Sequence, residues 1–400
     1  MKRVVTIFWL AWVLASAVCT AAAASATPES DAKPGLVVKN GLLFKEGRPY
    51  RAIGANYFDL FLRLLQNPTN TSSLAGLRQL SQAGIPFVRF SGGGFSKTEW
   101  QLYLKDPQEH FRRLDRVVRV AEEAKIGLIP SVFWTLALPD SAGETREEWL
   151  KPESKARGRM RGYVRELVRR YKQSPAIWGW EFGNELNLSV DLPNAAEFRQ
   201  PAQTARDDLT SAHLAALIAE FGREVRREDT WRPIFSGNSQ PRASAWHNTR
   251  AHSWEPDTRE QAGEILQRDN PAPLDTIGIH VYASDAGLKD LPGWAPTPEA
   301  YLKWVTSVAQ GLHRPVFVGE FGVPGPDNAE NRRRFDELLG AVQAAEVDLA
   351  AFWVFDLANQ EADWNVTFLN RRSWMLDAVV KANRSWRTAI KGRQSMIGGQ

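Results

Sequence analysis

Two glutamates stand where apolar segments end, and they are the residues of this sequence best suited to chemistry. The run 176–180 is apolar and leads into Asn184 and Glu185, and the run 315–319 leads into Glu320. Buried parallel strands that end in polar side chains typically present them at the carboxyl end of a barrel, where enzymes carry reactive groups. Two carboxyl groups across a cleft suit glycosidic bond hydrolysis, in which one protonates the leaving oxygen and the other attacks the anomeric carbon or activates water.

Each glutamate alone has a simpler interpretation. A single glutamate at a strand end is as often an ion-pair partner or a helix cap as a catalytic group. Glu185 and Glu320 lie at the ends of the predicted fourth and seventh strands, and aromatic residues surround both. The pair therefore favours catalysis over two unrelated structural carboxylates.

Eight apolar segments alternate with helical patterns. They are continuous apolar runs without apolar–polar alternation, which is typical of a parallel sheet covered by helices. Helical patterns cover residues 74–83, 111–124, 154–171, 209–226 and 327–345, with further helices after Thr297 and Trp374. The predicted strands cover residues 51–58, 85–90, 126–134, 176–180, 233–237, 276–282, 315–322 and 349–354.

This alternation predicts an α/β fold, a single-domain (β/α)₈ TIM barrel. Glu185 and Glu320 are 135 residues apart over three strand-to-strand steps. About 45 residues per step suits a barrel with enlarged loops. The segments 139–152, 190–205 and 240–257 are predicted to be such loops at the rim.

A short hairpin is predicted ahead of the barrel. Two apolar segments within residues 36–50 flank Asn40 and Gly41, a strong signal for a type I′ turn. Such a hairpin is suited to plug the closed bottom of a barrel.

The N-terminus carries a targeting signal. Lys2 and Arg3 precede an uncharged apolar run at 4–18, and small residues follow at 22–26. This pattern predicts a secretory signal peptide, because the run is short for a membrane span and no stop-transfer charges follow. We expect a signal peptide over 1–26, a tether over 27–35, the barrel over 36–392 and a tail over 393–400, in a secreted or periplasmic protein.

The single cysteine and the charge balance narrow the function further. Cys19 lies in the predicted leader behind Val18, which disfavours a lipoprotein signal, so the mature chain would contain no disulfide. The formal charge of +4 falls to +2 without Lys2 and Arg3, too little to indicate a nucleic acid or membrane partner. Phosphate-loop and His-Glu-x-x-His motifs are absent from the sequence, which argues against a cofactor or catalytic metal. We expect a monomer with a carbohydrate substrate.

The order of several motifs resembles a known family. Asn184-Glu185 follows strand four, His280-Val-Tyr282 follows strand six, and Gly319-Glu320-Phe-Gly322 follows strand seven. This set resembles glycoside hydrolase clan A and, within it, family 5, the cellulase and β-mannanase family. The resemblance covers nearly the whole chain after the leader. It implies that Glu185 is the acid/base and Glu320 the nucleophile of a retaining double displacement.

The resemblance also implies roles for neighbouring residues. Asn184 would hold the sugar's 2-hydroxyl, Tyr282 would donate to the nucleophile, and His280 would line the same subsite. Arg89, at the end of strand two, would lie beside Glu320, and an arginine together with a phenol favours a charged carboxylate. Further substrate-binding candidates at strand ends are Asn56, Trp134 and Trp353, the last as the sugar-stacking aromatic.

Tryptophan is frequent, with 16 residues. Beside Trp353, five tryptophans in or near predicted rim loops are candidates for outer subsites, although ordinary packing is at least as good an interpretation of each. They are Trp134, Trp246, Trp254, Trp294 and Trp364.

Two departures weaken any transfer of substrate specificity from the family. Phe133-Trp134 stands where many members have a histidine, and Leu186 follows Glu185 where proline is frequent. The sequence predicts cleavage within a β-1,4-linked polysaccharide, either mannan or glucan. The alternatives are an exo-acting β-glucosidase or β-mannosidase, a β-1,3-glucanase, an inactive carbohydrate-binding barrel and a metal-dependent barrel hydrolase.

Overall fold

The computed structural model describes residues 33–282 and 291–397, with side chains to residue 386. The predicted signal peptide and most of the predicted tether lie outside these ranges. The predicted end of the barrel at residue 392 falls within the last helix, which runs to Ile397.

Three short strands open the described chain. They are β1 (Leu36–Lys39), β2 (Leu42–Lys45) and β3 (Arg48–Pro49), and they form an antiparallel sheet in the order β1-β2-β3. Asn40 and Gly41 join β1 to β2, both with positive φ, as a type I′ turn requires. The predicted hairpin is therefore present, with one further short strand.

Eight parallel strands follow and confirm the predicted barrel. Each strand overlaps its predicted segment, and every residue of the eight strands is buried. The strands are β4 (Ala52–Asn56), β5 (Phe87–Ser91), β6 (Gly127–Phe133), β7 (Trp180–Gly183), β8 (Ile234–Phe235), β9 (Ile277–Val281), β10 (Val316–Phe321) and β11 (Leu349–Phe352).

Twelve helices are present in the described ranges, seven of them close to the predicted positions. The other five, α1, α3, α5, α8 and α9, occupy segments for which no helix was predicted. The helices are α1 (Leu62–Gln66), α2 (Ser72–Ala83), α3 (Lys97–Lys105), α4 (Pro107–Ala124), α5 (Ala137–Asp140), α6 (Lys155–Tyr171), α7 (Ser211–Glu228), α8 (Ala245–Ala251), α9 (Arg259–Arg268), α10 (Pro298–Gly311), α11 (Ala329–Ala344) and α12 (Trp374–Ile397).

Local capping accounts for two of the five helices that were not predicted, α3 and α9. Ser96 and Glu99 form a capping box at the start of α3, and Thr258 and Gln261 form one at the start of α9. Reciprocal caps of this kind stabilise short helices that carry little apolar periodicity. Part of the predicted loop 240–257 is helical instead, since α8 lies inside it without a side-chain cap at its start.

The strand order is β8-β7-β6-β5-β4-β11-β10-β9, so the ladder is continuous except between β8 and β9. Asn270 spans this seam. Its Oδ1 accepts from the Ser236 hydroxyl and from the Gly278 N–H, both at 2.8 Å. The two edges of the sheet are thus joined through a side chain.

The hairpin closes the amino end of the barrel. Leu36 and Leu43 are buried in one cluster with Phe87, Phe317 and Leu349, which lie at or near the starts of their strands. The candidate catalytic side chains named from the sequence lie at the other end of the barrel, where the strands have their carboxyl ends.

No helix within the described residues is both long enough and apolar enough to cross a membrane.

Candidate active site

The two glutamates lie together at the carboxyl ends of β7 and β10. Glu185 follows β7 after one residue, and Glu320 is the penultimate residue of β10. One carboxylate oxygen of each lies within 4.8 Å of the other and of His280 Nδ1. Residues 135 positions apart in sequence therefore face each other across the barrel mouth.

Glu320 is buried and held from two sides. Arg89 Nη1 donates to its Oε1 at 2.7 Å, and the Tyr282 hydroxyl donates to its Oε2 at 2.7 Å. Burial, and then the charges of Glu320 and Glu185, raise the pKa of Tyr282 well above its usual range. The phenol therefore stays protonated and remains a donor.

Arg89 connects most of the site. It is fully buried, and its Nη2 donates to Asn184 Oδ1 at 2.8 Å while its Nη1 also reaches Asn56 Oδ1 at 3.0 Å. Burial lowers the pKa of Arg89, but the charges of Glu181 and Glu320 outweigh it, and the pKa is raised overall. Arg89 is thus a fixed positive charge beneath the cleft.

Asn56 lies below the cleft and not in its wall. It is fully buried, and its Nδ2 donates to the Gly319 carbonyl at 2.8 Å and to the Ala351 carbonyl at 3.2 Å. Because its donors and its acceptor are engaged inside the barrel, the predicted contact of Asn56 with substrate is replaced by a positioning role. It ties β4 to β10 and β11 and holds Arg89.

Glu181 is a member of the site that the sequence did not single out. It is fully buried in β7, and its Oε2 accepts from Arg89 Nε at 2.5 Å. The signal in the sequence was a carboxylate inside an apolar strand, which requires a buried cation nearby.

The backbone at Glu185 is shaped by a neighbouring glycine. Glu185 has φ 50°, in the left-handed region, and its N–H donates to the Gly237 carbonyl at 2.8 Å. Gly237 also has positive φ, and a Cβ there would lie 1.9 Å from the Gly183 carbonyl oxygen. Only glycine fits at 237, and that fit sets the direction of Glu185.

His280 lies between the two carboxyls. Its Nδ1 is 3.1 Å from Glu185 Oε1 and 3.6 Å from Glu320 Oε2. Among the described residues, Glu185, His280 and Glu320 are the group with spacing suited to a metal ion. The distance to Glu185 is that of a hydrogen bond, in which the proton lies on either Nδ1 or the carboxyl. His280 therefore joins Glu185 by a hydrogen bond and lies beside Glu320.

Aromatic residues line the cleft, which has a volume of about 420 Å³. Trp353 follows β11, and its Nε1 donates to Gln360 Oε1 at 2.8 Å. The rings of Trp134 and Trp353 are 6.0 Å apart, and Phe58 packs against both. An apolar wall thus faces the glutamates, as the flat faces of sugar rings require.

Trp134 does more than line this wall. It is 6 % exposed, and the guanidinium of Arg89 lies 4.4 Å from its ring centroid. The indole therefore covers Arg89, and only a small part of it is accessible to a ligand.

The loop after β11 also lines the cleft. Asn359, Gln360 and Trp364 line the cleft, and the Trp364 ring packs on Tyr282 at 5.3 Å. The sequence named Trp364 as a candidate for an outer subsite, and in the structure it lies against Tyr282 within the cleft itself.

The remaining tryptophans lie elsewhere. Trp246 donates to Glu264, Trp294 packs against Trp304, and Trp254 is 47 % exposed. None of the three lines the cleft in the described part of the chain. Their predicted role in outer subsites has no contact to support it there.

Comparison with known proteins points to one family, although no protein-family model matches the sequence. Mannan endo-1,4-beta-mannosidase F from Aspergillus clavatus is 25% identical over 255 residues, which are 61% of this chain and 51% of the relative. The enzyme of the same name from Aspergillus fumigatus is 29% identical over 329 residues, 76% of this chain and 67% of the relative. These relatives, with structures described as family 5 mannosidases, support the predicted resemblance to glycoside hydrolase family 5.

Solved structures share the fold of this chain at low sequence identity. The endo-1,4-beta-mannanase from Rhizomucor miehei superposes with a TM-score of 0.63 at 16% identity and covers 88% of this chain and 99% of its own. A glycoside hydrolase family 5 mannosidase from the same organism gives a TM-score of 0.60 at 11% identity, with 88% and 98% covered. The chain spans about half the length of the first curated relative.

Proposed function

We propose that the chain is a retaining β-glycoside hydrolase that cleaves β-1,4-linked mannan at internal bonds by a two-glutamate double displacement. The observation that carries this proposal is the pair of carboxyls, Glu185 and Glu320, with oxygens within 4.8 Å across an aromatic cleft. Retaining enzymes hold their carboxyls about 5–5.5 Å apart, whereas inverting enzymes need about 6.5–9.5 Å to admit a water.

The surroundings of the two glutamates support different roles for them. Glu320 accepts from Arg89 and Tyr282, which suits a nucleophile that must stay ionised. Glu185 contacts His280 and lines the open cleft, so it can reach the leaving oxygen. Glu185 first gives its proton to that oxygen and then takes one from the attacking water.

Substrate contacts follow from the cleft. Asn184 is held through its Oδ1 by Arg89, so its NH₂ group is directed as a donor for the sugar's 2-hydroxyl. Trp353 supports the apolar face of the sugar next to Glu320. Mannan is favoured over glucan because the curated relatives are named mannan endo-1,4-beta-mannosidases.

The remaining expectations belong to the same proposal. The protein acts as a secreted or periplasmic monomer, and it needs no cofactor or metal. A single-domain barrel over residues 36–392 carries the activity.

Product analysis tests the proposal. We expect ivory-nut mannan or mannohexaose to give short oligosaccharides early, with cellulose and laminarin cleaved far more slowly. Proton NMR of the first product should show the β-anomer, as retention requires. Release of single sugars from chain ends would favour the exo-acting alternative, which the neighbouring fold of an exo-beta-1,4-mannosidase keeps open.

Two further outcomes separate the other classes. Binding of mannan without turnover would identify an inactive carbohydrate-binding barrel. Loss of turnover in the presence of a chelator would identify a metal-dependent hydrolase, and we expect no such loss.

A further inference from the structure

Glu181 is a third carboxylate in the barrel, and the proposed mechanism gives it no chemical step. Its Oε2 lies 2.5 Å from Arg89 Nε, and the Nη1 of the same guanidinium lies 2.7 Å from Glu320 Oε1. The side chains of Glu181 and Arg89 are fully buried. One buried positive charge is therefore shared between two carboxylates.

Packing alone does not explain why residue 181 is a charged glutamate. Its Oε1 has no hydrogen-bond partner among the described residues, and a Cβ at Gly237 would lie 3.0 Å from its Cδ. Burying a charge with incomplete hydrogen bonding is costly, and a neutral group of similar shape usually serves packing as well or better. A glutamine would still accept from Arg89 Nε, so orienting Arg89 does not account for a carboxylate at this position.

We propose that Glu181 sets the reactivity of Glu320 by taking up part of the charge of Arg89, and that it thereby balances the two halves of the reaction. This inference rests on the proposed retaining mechanism. Glu181 is a positioning residue that acts through Arg89 and does not touch the substrate.

The two halves place opposite demands on Glu320. In the first, a Glu320 oxygen uses an electron pair to form a bond to the anomeric carbon, the bond to the leaving oxygen breaks, and that oxygen receives the proton of Glu185. In the second, a water oxygen bonds to the anomeric carbon and gives its proton to Glu185. The bond to Glu320 then breaks, and the electron pair returns to the carboxylate.

The positive charge of Arg89 has opposite effects on the rates of the two halves. A stronger positive charge at Glu320 holds its electron pair back and slows the first half. The same charge stabilises the departing carboxylate and speeds the second half. Because Glu181 partly neutralises the charge of Arg89, it speeds formation of the covalent intermediate and slows its breakdown.

Glu181→Gln tests this because it removes the charge and keeps an acceptor for Arg89 Nε. For 4-nitrophenyl β-mannobioside, kcat/KM reports the first half. For 2,4-dinitrophenyl β-mannobioside, kcat reports the second half when an initial burst of phenol shows that breakdown limits turnover. We expect the first quantity to fall roughly three- to tenfold and the second to rise about two- to threefold.

Glu224→Gln is the matched control. Glu224 is also a buried carboxylate paired with arginines, Arg165 at 2.5 Å and Arg227 at 2.6 Å, but it lies on α7, facing α6, and does not line the cleft. The ratio of the two rate quantities should stay at the wild-type value in this variant.

A common fall of both quantities in Glu181→Gln would show a purely structural role and overturn the inference. Glu181→Asp provides the same test if circular dichroism shows that the glutamine variant is unfolded. Its carboxylate is withdrawn by one methylene, so the ratio should move in the same direction by a smaller factor; an unchanged or opposite ratio contradicts the inference. Absence of turnover by the wild-type enzyme on both mannobiosides, on mannan and on the other glycans would instead reject the proposed function.

Discussion

Arg89 is the residue through which the two carboxylate-bearing strands are connected. It reaches Glu320 on β10, Glu181 on β7 and Asn184 at the exit of β7. Trp134 covers it at 4.4 Å, where many family members are expected to have a histidine near the same strand end. An apolar ring excludes water from the guanidinium, and the attraction between Arg89 and its carboxylates is stronger in such a medium.

Glu185→Gln separates proton donation from bond cleavage. We expect kcat/KM for a glycoside with a poor leaving group to fall by roughly 10³-fold, since the leaving oxygen loses its proton donor. With 2,4-dinitrophenolate, which departs without a proton, the loss in kcat/KM should be small. The comparison of the two aryl glycosides is the measurement.

An equal loss with both leaving groups would contradict the acid/base role of Glu185. Sodium azide provides a second test of this role, because the azide anion attacks the covalent intermediate without help from a general base. It should raise the turnover of Glu185→Gln and yield a glycosyl azide with retained configuration.

At the scale of the elements, the turn after β8 supports Glu185, which follows β7. Gly237→Ala would place a methyl group 1.9 Å from the Gly183 carbonyl oxygen at φ +71°. We expect the free energy of unfolding to fall by about 2–4 kcal/mol, because both the strained φ and the clash must be relieved. Urea unfolding measures this, and the remaining folded protein should lose most of its activity through movement of Glu185.

Gly340→Ala is the matched control for that substitution. Gly340 lies in α11, and a Cβ there meets nothing within 4 Å. Alanine should raise the free energy of unfolding by about 0.5–1 kcal/mol, because it restricts the unfolded chain and favours helix. A Gly237→Ala protein as stable as Gly340→Ala would refute the tight approach at the β8 turn.

The starts of β10 and β11 contain a pH-sensitive group. Asp348 Oδ2 accepts from the Val316 N–H at 2.9 Å, and burial raises the pKa of Asp348 to about 6. Because this pKa is above that of the unfolded chain, about 3.9, the stabilising contribution is complete below pH 4 and is lost as pH rises through 6. Ionisation of the buried carboxyl is the cause.

Asp348→Asn should abolish this dependence while keeping an acceptor for Val316. Relative to wild type, its free energy of unfolding should increase by about 1–3 kcal/mol between pH 4 and pH 7.5. Urea titrations of both proteins at the two pH values give this difference. Asp336→Asn on the exposed face of α11 serves as control, and an equal change in both variants would exclude Asp348 as the source.

At the scale of the molecule, the hairpin acts as the floor of the barrel. Leu43 on β2 is 1 % exposed and packs with the first residues of the barrel strands, whereas its neighbour Leu42 is 42 % exposed. Leu43→Ala should lower the free energy of unfolding by about 2–4 kcal/mol, because it leaves a cavity. Leu42→Ala should change it by less than about 0.5 kcal/mol.

Activity per folded molecule should remain at the wild-type level in both leucine variants, since the floor and the cleft are at opposite ends of the strands. Equal unfolding midpoints for Leu43→Ala and Leu42→Ala in urea would contradict the role of the hairpin as a floor.

The barrel was predictable from the sequence because its strands are continuous apolar runs and several of them end in polar motifs. Glu185, Glu320, Tyr282 and Arg89 lie at or near the ends of such runs, and the structure brings them together. Glu181 escaped notice because it lies directly after the predicted run 176–180, beside the more prominent pair Asn184 and Glu185. Its significance depends on Arg89, 92 positions earlier, and no local pattern reveals that contact.

The features that could not be predicted from the sequence are those that depend on tertiary contacts. The placement of Asn56 below the cleft depends on carbonyl groups of β10 and β11. The wall formed by Gln360 and Trp364 depends on contacts with Trp353 and Tyr282. Short helices such as α3 and α9 depend on two or three capping hydrogen bonds, which carry a weak signal in the sequence.

The seam between β8 and β9 is a gap in the hydrogen-bonded ladder that otherwise runs around the barrel. β7, which leads to Glu185, is one strand from the seam on one side, and β10, which carries Glu320, is one strand from it on the other. The span between the two glutamates across β8 and β9 is therefore bridged by Asn270 and a few cross-links, and not by a continuous ladder. Because a backbone ladder is missing there, we expect the seam to be the place where the ring yields first when a ligand enters between the two carboxyls.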